Sequence, residues 1–463
     1  MNKPTFYISC PIDTYSGYGA RSRDIVKSLI ELDKYDVKII PQRWGNTPMG
    51  FINDNPEWGF IHNHLYLEQK LSIQPDIWCM VTVPNEFQPV GKYNIGITAG
   101  IETTISPAEW LEGCNRMNLI LGSSKHTIDV LRNSKWEKRN KKTNQPEGQL
   151  SWDKDGEVLF EGADIKTYRP LTPLDSKDIT INLDGVKEDF AYLFVGHWMQ
   201  GNMGEDRKNV GLLIKSFFET FKNKKNQPAL ILKTCIVGSS YMDRNELIKR
   251  IKIIKNTCKA KNLPNVYLLH GEFSNQEMNQ LYNHPKVKAM VCLTKGEGFG
   301  RPLLEFSLVN KPIITTNWSG HIDFLNPEFT TLIPGQLSKV HPSSSNKMLL
   351  KESEWFNVDM GQTGFFLKNV FENYKKYKEK AKRQGYQSRN NFSFDKMKEK
   401  IDKILTEKIP EFPQHVSLNL PKLKKIGENK DQTLKLPKLK KINGEKEKEL
   451  PKLKLPKLKK VEA

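Results

Sequence analysis

At 463 residues, with 22 Phe, 14 Tyr and 9 Trp, the chain is too long for one short module and too rich in apolar bulk for a globally disordered polymer, even at 37% apolar residues. Two packed domains with an appendage are the expected organisation. The formal charge of +19 is unevenly placed, because residues 414–463 hold 15 Lys against 6 acids and make a strongly basic tail on a moderately basic body.

Short β-rich apolar runs alternate with helical patterns along most of the chain, the mark of βα units wound around parallel sheets. The first series predicts strands over 6–10, 37–41, 59–62, 77–83, 95–99 and 118–122, with helices over 20–32 and 125–133, the latter behind the Ser123-Ser124 cap signal. Residues 135–152 are polar and aperiodic and read as an exposed insertion. A second series predicts strands over 191–195, 229–235, 266–269, 289–293 and 312–316. In its first helix Val210, Leu213, Ile214, Phe217, Phe218 and Phe221 recur at three- and four-residue steps, so one face is apolar. Helices over 246–261 and 278–282 follow. Beyond Phe365 come two more, the second capped by Ser393 and carrying Phe394, Met397, Ile401, Ile404 and Leu405 at helical spacing. These two either close the second domain or cross back to the first. The fold class is α/β: two Rossmann-like doubly wound domains in tandem, facing a cleft where ligands sit near the carboxyl ends of the strands.

The tail repeats Leu-Pro-Lys-Leu-Lys at 420, 436, 450 and 455. Its prolines break helices and its apolar residues are too few for a core, which predicts disorder. The six cysteines form no Cys-x-x-Cys, so neither a zinc knuckle nor a redox dithiol is indicated. The apolar stretch ending at Pro11 is short for a signal segment, and no run approaches ~18 apolar residues. A soluble cytoplasmic protein without a membrane span is the expectation.

The sharpest local signal is Thr294-Lys295-Gly296-Glu297-Gly298-Phe299-Gly300-Arg301-Pro302-Leu303-Leu304-Glu305, directly after a predicted strand. A glycine-rich turn leaves backbone N–H groups open to an anion, Pro302 suits a first helical turn, and the helix N-terminus adds partial positive charge. Carboxylates suit sugar hydroxyls, so loop plus acids reads as nucleotide plus sugar. The same residues also fit a tight βα turn with surface acids.

Glu297 and Glu305, within Glu-Gly-Phe-Gly-Arg-Pro-Leu-Leu-Glu and followed by Lys311-Pro312-Ile313-Ile314-Thr315-Thr316-Asn317-Trp318-Ser319-Gly320, resemble the Glu-x7-Glu signature of retaining GT-B glycosyltransferases of the group 1 (family 4) kind. That resemblance implies that Glu297 lies by the donor sugar, that Glu305 holds the nucleotide ribose, and that Gly298, Phe299, Gly300, Arg301 and Leu304 line the donor site. Arg207-Lys208-Asn209 is similar to the family's segment in which a basic residue grips the donor diphosphate, with Lys208 the better match. Ser16-Gly17-Tyr18-Gly19 resembles the N-terminal glycine loop that approaches phosphate or acceptor. Glu161-Gly162-Ala163-Asp164 to Tyr168-Arg169-Pro170 resembles the entry to the interdomain linker. This places the boundary near 170–188 and the regions at 1–178, 179–410 with closing helices, and 411–463.

Two departures stand out. Where many relatives carry a histidine after the fourth first-domain strand, this chain has Val83-Pro84-Asn85-Glu86; where many have Gly-Arg, it has Gly196-His197-Trp198, which makes His197 a donor-side candidate. Glu102 to Trp110 resembles a subgroup with Glu, Pro and Trp there, so Glu86 and Glu102 are candidate acceptor-side carboxylates, with local capping as the other reading. His62 and His64 lack a third ligand, and Asp153-Lys154-Asp155 sits beside the polar insertion and reads as a turn, so no metal and no cofactor are expected. The implied activity is metal-independent, retaining transfer of a hexose from a UDP- or GDP-linked sugar to a hydroxyl on a glycan, lipid, protein or modified DNA base. A degenerate GT-B scaffold that binds anionic surfaces through its basic tail is the alternative.

Overall fold

The computed structural model describes residues 3–140, 142–172, 175, 179–236 and 238–412; the repeat tail lies outside the described residues. The first series begins with β1 (Thr5–Cys10), α1 (Gly17–Leu32), β2 (Asp36–Pro41), a four-residue α2 (Phe51–Asp54), β3 (Ile77–Val81), β4 (Tyr93–Thr98), α3 (Ala108–Arg116), β5 (Leu119–Gly122) and α4 (Lys125–Asn133). It continues with β6 (Trp136–Arg139), β7 (Pro146–Leu150) and β8 (Asp155–Val158). Six of these strands form one parallel sheet in the order β2-β1-β3-β4-β5-β8. The order reverses between β1 and β3, so a crevice opens beyond their carboxyl ends.

The second series contains β9 (Ala191–Val195), α5 (Val210–Phe221), β10 (Ala229–Lys233), α6 (Tyr241–Asn256), β11 (Val266–Leu269), α7 (Asn275–Asn283), β12 (Val287–Cys292), α8 (Arg301–Ser307), β13 (Ile313–Thr316) and β14 (Thr331–Ile333). Its parallel sheet runs β11-β10-β9-β12-β13-β14, with the switch point between β9 and β12. The loops after those two strands carry His197 and residues 294–300, so the topology alone brings together two segments about a hundred residues apart in sequence. An antiparallel ribbon of β15 (Gly335–Lys339) and β16 (Glu354–Val358) follows, then α9 (Met360–Glu372), α10 (Tyr374–Asn391) and α11 (Phe394–Lys408).

Helix α5 forms as its periodicity demands. All six apolar residues of its predicted stripe are at most 2% exposed, inside a core built on the second sheet. Truncating one of them, such as Phe217→Ala, costs about 3–5 kcal/mol in sites of this kind. Helix α11 takes the second of its two expected courses: Ser393 caps it, accepting from Lys396 N, and Met397, Ile401, Ile404 and Leu405 join the first sheet's core. The chain therefore returns from the second sheet to the first.

Several expectations need correction. Residues 59–62 are not a strand but part of a 3-10 segment, Pro56–His64; Pro56 starts the turn, and only Leu65 beyond it makes a bridge to Ile39. The insertion at 135–152 folds into an exposed antiparallel hairpin of β6 and β7. Helix α6 starts five residues ahead of the expected 246, because Ser240 caps it by accepting from Asp243 N, and it ends at Asn256. Among the described residues three helices, not two, follow from Met360 to Lys408. Among the described residues no helix is long and apolar enough to cross a membrane.

Candidate active site

The site begins with the segment that links β9 to α5. Asp206 accepts from Val210 N at 3.3 Å, Asn209 turns the chain with φ 57°, and the carbonyl of Arg207 accepts from Lys295 N at 2.7 Å. Those two bonds and the turn between them hold Arg207 and Lys208 against the loop after β12. Lys208 Nζ lies 2.5 and 2.7 Å from the two carboxylate oxygens of Glu297. Arg207 Nη1 donates to the carbonyl of Gly296 at 2.8 Å and lies 3.7 Å from Glu297 Oε2. Burial pushes the Glu297 carboxyl up, but Lys208 and Arg207 outweigh it and hold the group down to about 2. Glu297 is therefore an ionised, buried carboxylate held by two consecutive cations.

The glycines serve close approach. A Cβ on Gly296 would stand 2.3 Å from the carbonyl of Glu102, one on Gly298 2.5 Å from that of Ala99, and one on Gly320 2.1 Å from that of Gly298. Gly300 takes φ 95°, which a side chain rarely adopts. The loop thus presses directly on the first domain's segment after β4. Ser123 Oγ donates to the carbonyl of Gly298 at 2.9 Å, and His126 meets the Trp318 ring at 4.8 Å. Glu102 itself reaches back: its Oε1 is 3.1 Å from the same Arg207 Nη1 that faces Glu297.

Eight residues on from Glu297, Glu305 lies in a second cluster. Arg301 Nε donates to Glu305 Oε1 at 3.0 Å, while Arg301 Nη1 crosses to Asp24 of α1 at 2.5 Å and lies 3.9 Å from Glu161. Arg21, 1% exposed, donates to the carbonyl of Leu159 at 2.5 Å beside them. Burial pushes Glu305 up to about 7, with Arg301 opposing. At this end a cavity of about 490 Å³ opens between the domains, lined in part by Ser16, Gly17, Asn275, Arg301 and Glu305.

The remaining predicted residues fall into two groups. Ser16 caps α1 through Gly19 N at 2.9 Å, so Gly17, Tyr18 and Gly19 form the first turn of a helix instead of a free loop. Tyr18 stacks on Trp44 and accepts from Ala99 N at 3.0 Å, tying α1 to the segment after β4. His197 is exposed beside Cys235 Sγ at 3.3 Å, next to Gly196, where a Cβ would meet the Phe194 ring at 3.3 Å and Lys208 Cδ at 3.9 Å. Phe299 and Leu304 point into the second core, leaving only their backbones to the cleft. Glu86 is exposed and accepts from Thr82 Oγ1, a local side-chain bond that caps no helix, with no ion pair across the cleft among the described residues. With 59–62 removed as a strand, Val83 to Glu86 follow the third strand; the segment after the fourth is Ala99-Gly100-Ile101-Glu102.

Sequence reading missed Asp24, Arg21 and the β15–β16 ribbon. The ribbon walls the site, since Phe356 N donates to the carbonyl of Lys295 at 3.0 Å and Thr104 N to that of Glu354 at 2.9 Å. A usable signal was present for the first two: Arg21, Arg23 and Asp24 sit within two turns of a Ser cap on a helix whose other face is apolar. Among the described residues no group of three His, Cys, Asp or Glu side chains could hold a metal ion.

Residues 199–341 match the family model described as glycosyl transferases group 1. No curated protein sequence matches the chain. Among solved structures, a glycosyltransferase from Rickettsia africae aligns over 88% of this chain and 99% of its own at 13% identity and a TM-score of 0.58. Anabaena HepE, in complex with UDP and glucose, aligns over 87% and 100% at 13% identity and 0.56. A trehalose-6-phosphate synthase from a study of glycosyl transfer with retention aligns over 88% and 100% at 10% identity and 0.51. At these identities the likeness speaks for the two-domain GT-B fold.

Proposed function

We propose, from the premise that this chain is a group 1 glycosyltransferase with the GT-B fold, that it moves a sugar from a UDP- or GDP-linked donor to a hydroxyl acceptor, with retention and without a metal. The observation that carries the reading is the convergence of Lys208 and Arg207 on Glu297 at the switch point of the second sheet. Breaking the bond between the anomeric carbon and the diphosphate oxygen leaves negative charge on that oxygen, and two fixed cations stand ready to neutralise it. The acceptor hydroxyl adds to the same face of the anomeric carbon as the diphosphate leaves, and its proton passes to the departing oxygen. No protein nucleophile is consumed. Ionised Glu297 accepts hydrogen bonds from sugar hydroxyls, and Glu305, at the open end of the cleft, takes the ribose. The loop from Gly298 to Gly300 offers backbone N–H groups that make no hydrogen bond to the described residues.

The HepE complex with UDP and glucose supports a nucleoside-diphosphate donor for this frame. A scaffold that had lost catalysis would have no need to keep buried, mutually paired Lys208, Arg207 and Glu297, so the enzyme reading is preferred. The repeat tail serves as a tether or anionic-surface anchor outside the chemistry. The test is direct: incubate the protein with UDP- and GDP-sugars and a hydroxyl acceptor panel in EDTA, and follow release of nucleoside diphosphate and the anomeric configuration of the product. Release with retained configuration supports the proposal. Release with inversion overturns retention, dependence on added divalent ion overturns metal independence, and silence with every donor overturns the whole reading.

A further inference from the structure

The two ends of the cleft differ in a way the proposed reaction does not by itself explain. At the Glu305 end the domains leave a cavity and meet through the side chains of Arg301 and Asp24, whereas at the Glu297 end their backbones press together. What touches there is the segment after β4, with the carbonyl of Glu102 against Gly296 and its carboxylate 3.1 Å from Arg207. The Arg207 side chain is 13% exposed and that of Glu102 22%, so the pair is largely shielded from water. One guanidinium nitrogen, Arg207 Nη1, thus faces two carboxylates, one from each domain.

A donor diphosphate brings its own negative charge to Arg207. It cannot share the guanidinium with two carboxylates without placing three anionic groups around one cation, and the carboxylate with fewer partners is the one that can yield. Glu297 is fixed by Lys208 at 2.5 Å as well, whereas among the described residues Glu102 forms an ion pair with Arg207 alone. Resting on the reading given above, we propose that Glu102 is a placeholder anion: in the donor-free protein it neutralises Arg207 and shuts the sugar end of the cleft, and the donor diphosphate displaces it. Glu102 is then a positioning residue. It keeps Arg207 aimed into the site while no donor is present, at the cost of competing with every donor that arrives. The backbone of the segment is held on both sides: Thr104 is joined to Glu354 of the ribbon by two hydrogen bonds of 2.9 Å, and Ala99 to Tyr18 of α1, so the side chain is the part that yields. When the pair opens, the Glu102 carboxylate turns away from Arg207 while the 99–104 backbone keeps these bonds.

The experiment measures binding of UDP and of GDP, without sugar or acceptor, to the full chain at constant ionic strength by titration calorimetry, with melting curves to verify folding. Glu102→Gln removes the competitor, so its nucleoside diphosphate affinity rises about 10-fold, as expected when an occluded state no longer depletes the competent one. Glu102→Asp, which keeps the charge but draws it back by one methylene, gains about 3-fold and guards against a folding failure of the Gln variant. Arg207→Gln loses at least about 10-fold, and adding Glu102→Gln to it brings no further gain, because the competition runs through the guanidinium. Unchanged or weaker binding in both Glu102 variants, with the Arg207 loss intact, overturns the placeholder and leaves the donor site standing. Wild-type protein that binds neither nucleotide, or binds as well without Arg207, takes down the donor-site reading and this inference with it.

Discussion

Glu297 and Glu305 stand on one loop and helix with seven residues between them, both buried, and live in opposite electrical surroundings. Around Glu297 there are two close cations: Lys208 contacts both oxygens, and Arg207, which also faces Glu102, adds to it. Around Glu305 the one close cation, Arg301, is divided among Asp24, Glu161 and Glu305 itself. The same burial therefore leaves one carboxyl held at about 2 and lets the other rise to about 7. Burial sets the cost of a charge, and the number of uncommitted partners decides whether that cost is met. In the proposed reaction this divides the labour, with a permanently ionised group at the sugar and a group near neutrality at the ribose, where it can donate as well as accept.

The contrast can be broken from its strongest side first. Lys208→Ala removes the main partner of Glu297 and a cation at the leaving diphosphate, and should lower kcat/KM by about 100-fold or more in a nucleoside diphosphate release assay. Retention of most activity would remove Lys208 from the site. Glu297→Gln keeps the shape but loses the charge that orients the sugar, and should reduce turnover by at least ~10-fold with folding intact, read from steady-state rates beside a melting curve.

Stability against pH sharpens the comparison by sign. Glu297, depressed when folded, contributes stability that is present above its ordinary value near 4.5 and is lost as pH falls toward 2. Glu305, raised when folded, contributes stability that is present below 4.5 and is lost as pH rises toward 7. Glu305→Gln should therefore gain on the wild type as pH goes from 5 to 8, by on the order of 3 kcal/mol, while the deficit of Glu297→Gln should shrink as pH drops below about 4.5. Denaturant unfolding across pH checks both, and parallel curves for the two variants would refute the contrast. The smallest effect is expected from deleting 414–463, which should leave transfer to a soluble acceptor within about 2-fold and weaken only salt-sensitive association. A collapse of folding would show that the tail belongs to the structured body.

Legibility followed locality. The α5 stripe, the strands from β9 to β13 and the Ser393 cap of α11 could be read because period, β-rich runs and caps are written within a dozen residues. The 59–62 run misled because apolar composition says nothing of whether a neighbouring strand is free to pair, and Pro56 had already committed the segment to a turn. Gly296 and Gly298 were read as openings for phosphate, but the structure also gives them a packing reason, the backbone of Ala99 and Glu102 arriving from the other domain.

What the sequence by itself determined was therefore the set of chemical groups and the layered α/β plan: two consecutive cations, a glycine loop flanked by acids, and strands that must lie parallel because helices separate them. Which groups meet was decided only by the tertiary structure. Glu102 and Arg207 lie about a hundred residues apart in the chain, as do the pinned Arg207 carbonyl and Lys295, and Asp24 lies much farther from Arg301. Ion pairs of that kind depend on the separation and shielding of charges in space, and no local period in a sequence encodes either quantity.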